Sequence, residues 1–127
     1  MTENEIKQLR QDPDGLQCYE FMANHISDLT AEDLAKLVDI MMLVDLNGQF
    51  MASAARYLHA IDTVAYAQEI RRLVAATIDK DREHRYLPDL ISSIYGEDYK
   101  ERAEELSASD DNFRRMYKRL YPNPDKL

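Results

Sequence analysis

The sequence is poor in the residues from which most small-molecule sites are built. It has one cysteine, three glycines and four prolines, and it has no tryptophan. A single cysteine, Cys18, excludes both an internal disulfide and a zinc site made of several thiolates. With so few glycines there is little material for a phosphate-binding loop, and no P-loop, dinucleotide-binding or serine-hydrolase motif occurs. The sequence therefore identifies no catalytic residues and predicts no cofactor.

Long apolar runs and an excess of basic charge are missing as well. The longest strongly apolar stretch, LVDIMMLV, is far shorter than the ~20 residues of a membrane-spanning helix. The N-terminal MTENEIKQLR is polar and does not resemble a signal peptide. A net charge of −8 disfavours binding to the phosphate backbone of nucleic acids. We therefore expect a soluble, cytoplasmic protein with no nucleic-acid or membrane partner.

The residues that are present favour helices. Apolar residues make up 45% of the 127 positions, and Leu, Ala, Met, Glu, Arg and Lys are plentiful. No strand-like alternation competes, and no repeat of 20–50 residues is apparent. The prediction is a single all-α domain, residues 1–127, with about six helices arranged as a bundle or as a small superhelix of stacked helix pairs. Residues 1–11 and 122–127 are expected to be loose termini.

The clearest helix start lies at Thr30, which can cap the helix and is followed three residues later by Asp33. The helix that follows is apolar nearly all round, so we expect it at the centre of the fold. Asn47–Gly48 either ends this helix or is spanned by one long helix that continues to Ala60.

We expect the helix before Pro88 to end near Arg85. Two polar residues extend the apolar stripe of this helix. At 100° per residue, Asp81 and His84 fall on the same face as the apolar residues before them. In the helix that begins after Thr30, Asp45 occupies an equivalent place at the end of the stripe. Two helices thus end their apolar stripes in a carboxylate.

Asp81-x-x-His84 would place two ligands one turn apart on one helix face. Such pairs occur in carboxylate-bridged di-metal bundles, where each of two helices carries one pair. Here there is only one pair, and Asp stands where Glu is usual, so Asp81, His84 and Asp45 are weak candidates for metal ligands. The competing interpretations are an exposed helix end and a buried polar network that joins helix ends.

Two further features favour structural roles. Cys18 and His25 lack the orienting group and oxyanion hole that a nucleophilic pair needs, so a buried structural cysteine is expected. The acidic stretch 97–111 and the basic stretch 113–121 are expected to neutralise each other in an antiparallel hairpin. The leading hypothesis is a protein-binding or regulatory role with a protein partner or a second copy of the chain, and the alternative is a metal-binding bundle or a metal-dependent enzyme.

Overall fold

The computed structural model describes residues 1–122, and these form eight α-helices and no strand. The all-α prediction is confirmed, with eight helices instead of about six. The helices are α1 (Glu3–Leu9), α2 (Leu16–His25), α3 (Ala31–Val44), α4 (Gln49–Ile61), α5 (Ala67–Lys80), α6 (Leu87–Tyr95), α7 (Ala103–Ser109) and α8 (Asp111–Leu120). None of them is long and apolar enough to cross a membrane.

The N-terminal residues, expected to be loose, form a helix that is held in place. The Thr2 side chain accepts a hydrogen bond from the Glu5 backbone, and the Glu5 carboxylate accepts one from the Thr2 backbone, so α1 begins with a complete capping box. The Met1 ammonium group lies 2.9 Å from the Asp33 carboxylate of α3. The predicted tail at 122–127 lies outside the described residues except for Pro122, which is exposed and not helical.

The cap predicted at Thr30 is present, since its hydroxyl accepts a hydrogen bond from the Asp33 backbone at 3.1 Å. The single long helix from Thr30 to Ala60 is wrong. The chain leaves the helical conformation after Val44, and Gly48 has a φ of +89°, which is not compatible with a continuous helix.

The helices form two layers. In one layer α2 contacts α4, α4 contacts α6, and α6 contacts α8; in the other layer α3 contacts α5. Contacts between the layers are most extensive between α4 and α5, where the buried alanines 52, 54 and 55 leave room for close approach. The helices thus pack as a short stack, and the prediction leaves a bundle and a stack of helix pairs open.

The stack closes differently at its C-terminal end, because α8 contacts α5 as well as α6. Arg115 pairs with Asp79 of α5 at 2.5 Å, and Arg119 donates to the Ile78 carbonyl at 2.8 Å. Among residues 1–122, Arg114 is the one member of the basic stretch that forms an ion pair with the acidic stretch, with Asp111 one turn earlier in α8. Mutual neutralisation of the two stretches is therefore wrong for Arg115 and Arg119, which fasten α8 onto α5.

Candidate functional site

Three aspartates are buried, and each lies in a connection between two successive helices. Asp12 follows α1, Asp45 caps the C-terminus of α3, and Asp81 caps the C-terminus of α5. Asp45 is fully buried, and the other two are nearly so. A buried carboxylate is costly unless its oxygens accept hydrogen bonds, so each needs a set of donors.

The donors are backbone N–H groups of the following helix start. Asp12 accepts from Asp14 and Gly15 on one oxygen and from Cys18 on the other, at 2.9–3.2 Å. Like Asp12, Asp45 accepts hydrogen bonds from the residues two, three and six positions after it, and it accepts a fourth from the residue five positions after it. Its donors are Asn47, Gly48, Phe50 and Met51, at 2.8–3.2 Å.

The third connection varies the same design. Asp81 accepts from Arg85 on one oxygen and from Tyr86 and Leu87 on the other, at 2.8–2.9 Å. In all three connections the residue six positions after the aspartate donates to Oδ2. The carboxylate thus caps the incoming helix by satisfying N–H groups that have no partner within the helix.

The residue three positions after each aspartate has a positive φ. Gly15 and Gly48 have φ values of +104° and +89°, and His84 has +56°. Because α5 ends at Lys80, the expected helix end near Arg85 is wrong, and Asp81 and His84 do not share a helix face. The prediction failed because apolar periodicity does not indicate that the Asp81 carboxylate will accept hydrogen bonds from backbone N–H groups at the start of the next helix.

The first connection packs against the second, and the second packs against the end of α5 that leads into the third. A β-carbon placed on Gly15 would lie 3.2 Å from Cβ of Asp45, and one placed on Gly48 would lie 3.1 Å from Cγ2 of Thr77 in α5. Lys80 donates to the Asp45 carbonyl at 2.6 Å and also to the carbonyl of Met42. The connections thus form a packed row along one edge of the stack, which we call the connection row.

These hydrogen bonds define the roles of the three candidate metal ligands, Asp45, Asp81 and His84. Both oxygens of Asp45 and of Asp81 are occupied by backbone donors, and His84 is half-buried in the turn. Over residues 1–122, no three or more His, Cys, Asp or Glu side chains converge as a metal ion would require. The structure therefore does not bring Asp45, Asp81 and His84 together as a ligand set, and it corresponds to the buried polar network.

Asp12 and Cys18 are part of the same connection. Burial raises the pKa of Asp12, but the N–H groups of Cys18, Gly15 and Asp14 outweigh it and leave this pKa below its ordinary value. Cys18 is fully buried, and burial raises the pKa of its thiol. His25 instead packs at the surface on Phe21, with 4.4 Å between ring centres. The buried thiol of Cys18 lies 3.7 Å from the carbonyl oxygen of Leu9, which agrees with the structural role predicted for this cysteine.

The surface presents an apolar groove on the outer side of α1 and α3. It has a volume of about 250 Å³, and its apolar walls are Ile6, Ile40 and Leu43. Ile40 is buried at the floor, whereas 72% of Leu43 is exposed at the edge. Three residues further on, Leu46 is 77% exposed. We call this feature the α1–α3 groove.

Basic side chains border the α1–α3 groove. Arg10 and Lys36 line it together with Asp39, and the adjoining surface of α1 adds Lys7 and the acidic Glu3. Sequence reasoning missed this groove because α1 was expected to be loose, so Ile6 had no assigned partner. The signal available was Leu43, which lies on the face of α3 opposite to its main apolar stripe.

A second surface feature is the tyrosine cluster at the end of α8. The hydroxyls of Tyr99 and Tyr121 lie 2.6 Å apart, and the Lys100 ammonium lies 4.7 Å from the centre of the Tyr121 ring. Burial raises the pKa of Tyr99 to about 12, whereas the hydrogen bond from Tyr99 lowers the pKa of Tyr121. These contacts fasten the end of α8 to the segment before α7.

A scan against protein-family models and searches of curated proteins and of solved structures found no match to this chain.

Proposed function

We propose that this protein acts by binding a protein partner through the α1–α3 groove. The observation that carries the proposal is the exposure of Leu43, 72% of which faces solvent beside the apolar groove formed with Ile6 and Ile40. A large apolar side chain at the edge of an apolar depression is a typical anchor point for a partner.

The scaffold suits this role. The groove walls are helices, and α3 is held at its C-terminal end by Asp45 and by Lys80 of α5. At its N-terminal end α3 is held by the ion pair between Met1 and Asp33. The α3 wall of the groove, fixed at both ends, changes little on binding, which reduces the entropy lost when a partner is bound.

The test compares Leu43→Ser with Val64→Ser, a matched control in the α4–α5 connection where Val64 is 85% exposed. Tagged full-length chains are expressed in the cells that produce this protein, and the bound proteins are quantified by mass spectrometry. We expect Leu43→Ser to lose a partner that wild type and Val64→Ser retain, by tenfold or more, because a central apolar anchor dominates binding.

Both variants should melt within a few degrees of wild type, because surface substitutions rarely change stability by more than ~0.5 kcal/mol. Light scattering on the same samples distinguishes a second copy of the chain from a different protein. Identical sets of bound proteins and identical masses for all three chains would rule out this groove as the binding surface.

A further inference from the structure

The charges around the α1–α3 groove indicate which kind of partner it takes. We infer that the groove binds an acidic amphipathic helix of another protein, and this inference rests on the proposed function. The partner helix would place apolar side chains against Ile6, Ile40 and Leu43 and acidic side chains against the basic residues at the rim.

Three of the four basic residues in the first 60 positions lie at the groove or next to it. Residues 1–60 contain four basic residues, Lys7, Arg10, Lys36 and Arg56, and all of them except Arg56 border the groove or its continuation along α1. The whole chain carries a net charge of −8. A local basic strip on a chain of net negative charge attracts an acidic segment.

Acidic residues also lie near the strip, and Glu3 lines the adjoining surface of α1 without forming an ion pair with Lys7 or Arg10 among the described residues. Asp39, which also lines the groove, pairs with Arg72 of α5. Lys36 makes a 3.5 Å pair with Glu32, and both side chains are largely exposed, so this pair is weak. Within residues 1–122 Lys7 and Arg10 form no ion pair, so both are available to a partner.

The form of the groove favours a helix. At about 250 Å³ it is smaller than the ~300–1,000 Å³ typical of small-molecule pockets, so it accommodates individual side chains. The described residues form no β-sheet, so no strand edge is offered for an extended peptide to pair with. Anchors one turn apart on a partner helix match Leu43 and Ile40, which are themselves one turn apart on α3.

The first experiment identifies what lies on the groove. Benzoylphenylalanine is placed at position 46 of the full chain in its native cells, because Leu46 is 77% exposed and is not one of the groove walls, and the segment cross-linked by light is sequenced by mass spectrometry. The expected segment is acidic, with apolar residues spaced three and four apart. A neutral or basic segment, a segment without that spacing or a segment from a second copy of this chain would overturn the inference. Absence of any cross-link would overturn it together with the proposed function.

The second experiment measures the electrostatic contribution. A synthetic peptide with the cross-linked sequence is titrated against the full chain by fluorescence anisotropy at low and at physiological salt. Reversal of Lys7 and Arg10 to Glu should weaken binding tenfold or more and flatten its salt dependence. Lys118→Glu, an exposed residue of α8, is the control and should change neither.

Different results would exclude the groove as the binding site and exclude an acidic partner. If Leu43→Ser abolishes peptide binding but Lys7→Glu/Arg10→Glu leaves it unchanged, the groove is a binding site and the acidic partner is excluded. If Leu43→Ser also leaves binding unchanged, the groove is not the site.

Discussion

His84 occupies the position at which the two earlier connections have glycine. Its φ of +56° lies in the left-handed region, which costs an ordinary residue about 1 kcal/mol or more. His84 is accepted there because Asp81 fixes the backbone that follows it. In the sequence, the spacing of Asp81 and His84 suggests a pair of metal ligands. The spacing gives no indication that His84 adopts a positive φ.

The strain at His84 can be tested by comparison with a glycine of the same connection type. We expect His84→Gly to leave the protein as stable as wild type or to stabilise it by up to ~1 kcal/mol, because glycine adopts a positive φ without penalty. Gly48→Ala should instead destabilise it by about 1–3 kcal/mol, because its β-carbon would lie 3.1 Å from Thr77. Urea unfolding measures both. A large loss of stability in His84→Gly would mean that its imidazole is needed for the fold.

At the scale of the helix, each buried aspartate joins two helices by ending one and capping the next. Asp12 illustrates the energetic consequence. Because the pKa of Asp12 is lower in the folded chain than its ordinary value of 3.8, its contribution to stability is complete above that pH. The contribution is lost as the pH falls through the lowered folded-state pKa, since the protonated carboxyl accepts the N–H groups less well.

This sign gives a prediction for Asp12→Asn. At pH 7 the variant should be less stable than wild type by about 2 kcal/mol, because the amide cannot accept from both Gly15 and Cys18. The difference should shrink when unfolding is repeated below pH 3.8. Asp28→Asn, at an exposed position, is the control and should match wild type at both values. A difference that does not change with pH would contradict the assigned role of the charge.

Helix positions could be read from the sequence more reliably than the connections. Thr30 and Asp33 predict the start of α3 because capping depends on neighbouring residues alone. Asp45 and Asp81 were placed on helices because their spacing fits the apolar stripe. The offset of three between Asp12 and Gly15 recurs at Asp45 and Gly48, so the repeated connection was visible twice. The third connection has His84 in place of the glycine, so the sequence does not identify it as a copy of the other two.

At the scale of the whole molecule, stability should differ along the stack. In a row of hairpins each element is held mainly by its neighbours, so the terminal elements open first. The α4–α5 interface is the most extensive, whereas α1 has seven residues, of which only Leu9 is buried. The packing of non-neighbouring helices is what the sequence could not predict, since the apolar stripes do not specify which helix each one meets.

Hydrogen exchange measured by mass spectrometry tests this gradient. We expect amides of α1 to exchange at least tenfold faster than those of α5, a difference in opening free energy of about 1.4 kcal/mol. Amides of α8 should be protected more than those of α1, because Arg115 and Arg119 hold α8 on α5. Equal protection in α1 and α5 would indicate that the chain opens as one cooperative unit instead.

The connection row has a consequence for how this chain can be altered in length. At one edge, Asp12, Asp45 and Asp81 accept hydrogen bonds from the backbone N–H groups of three connections, so an inserted residue there would displace donors from a buried carboxylate. The connection between α4 and α5 lies at the opposite ends of those helices, and its residues 62–65 are exposed. Fused domains, affinity tags or new chain termini are therefore best placed near Val64, where the chain can be lengthened or reopened without disturbing a buried contact.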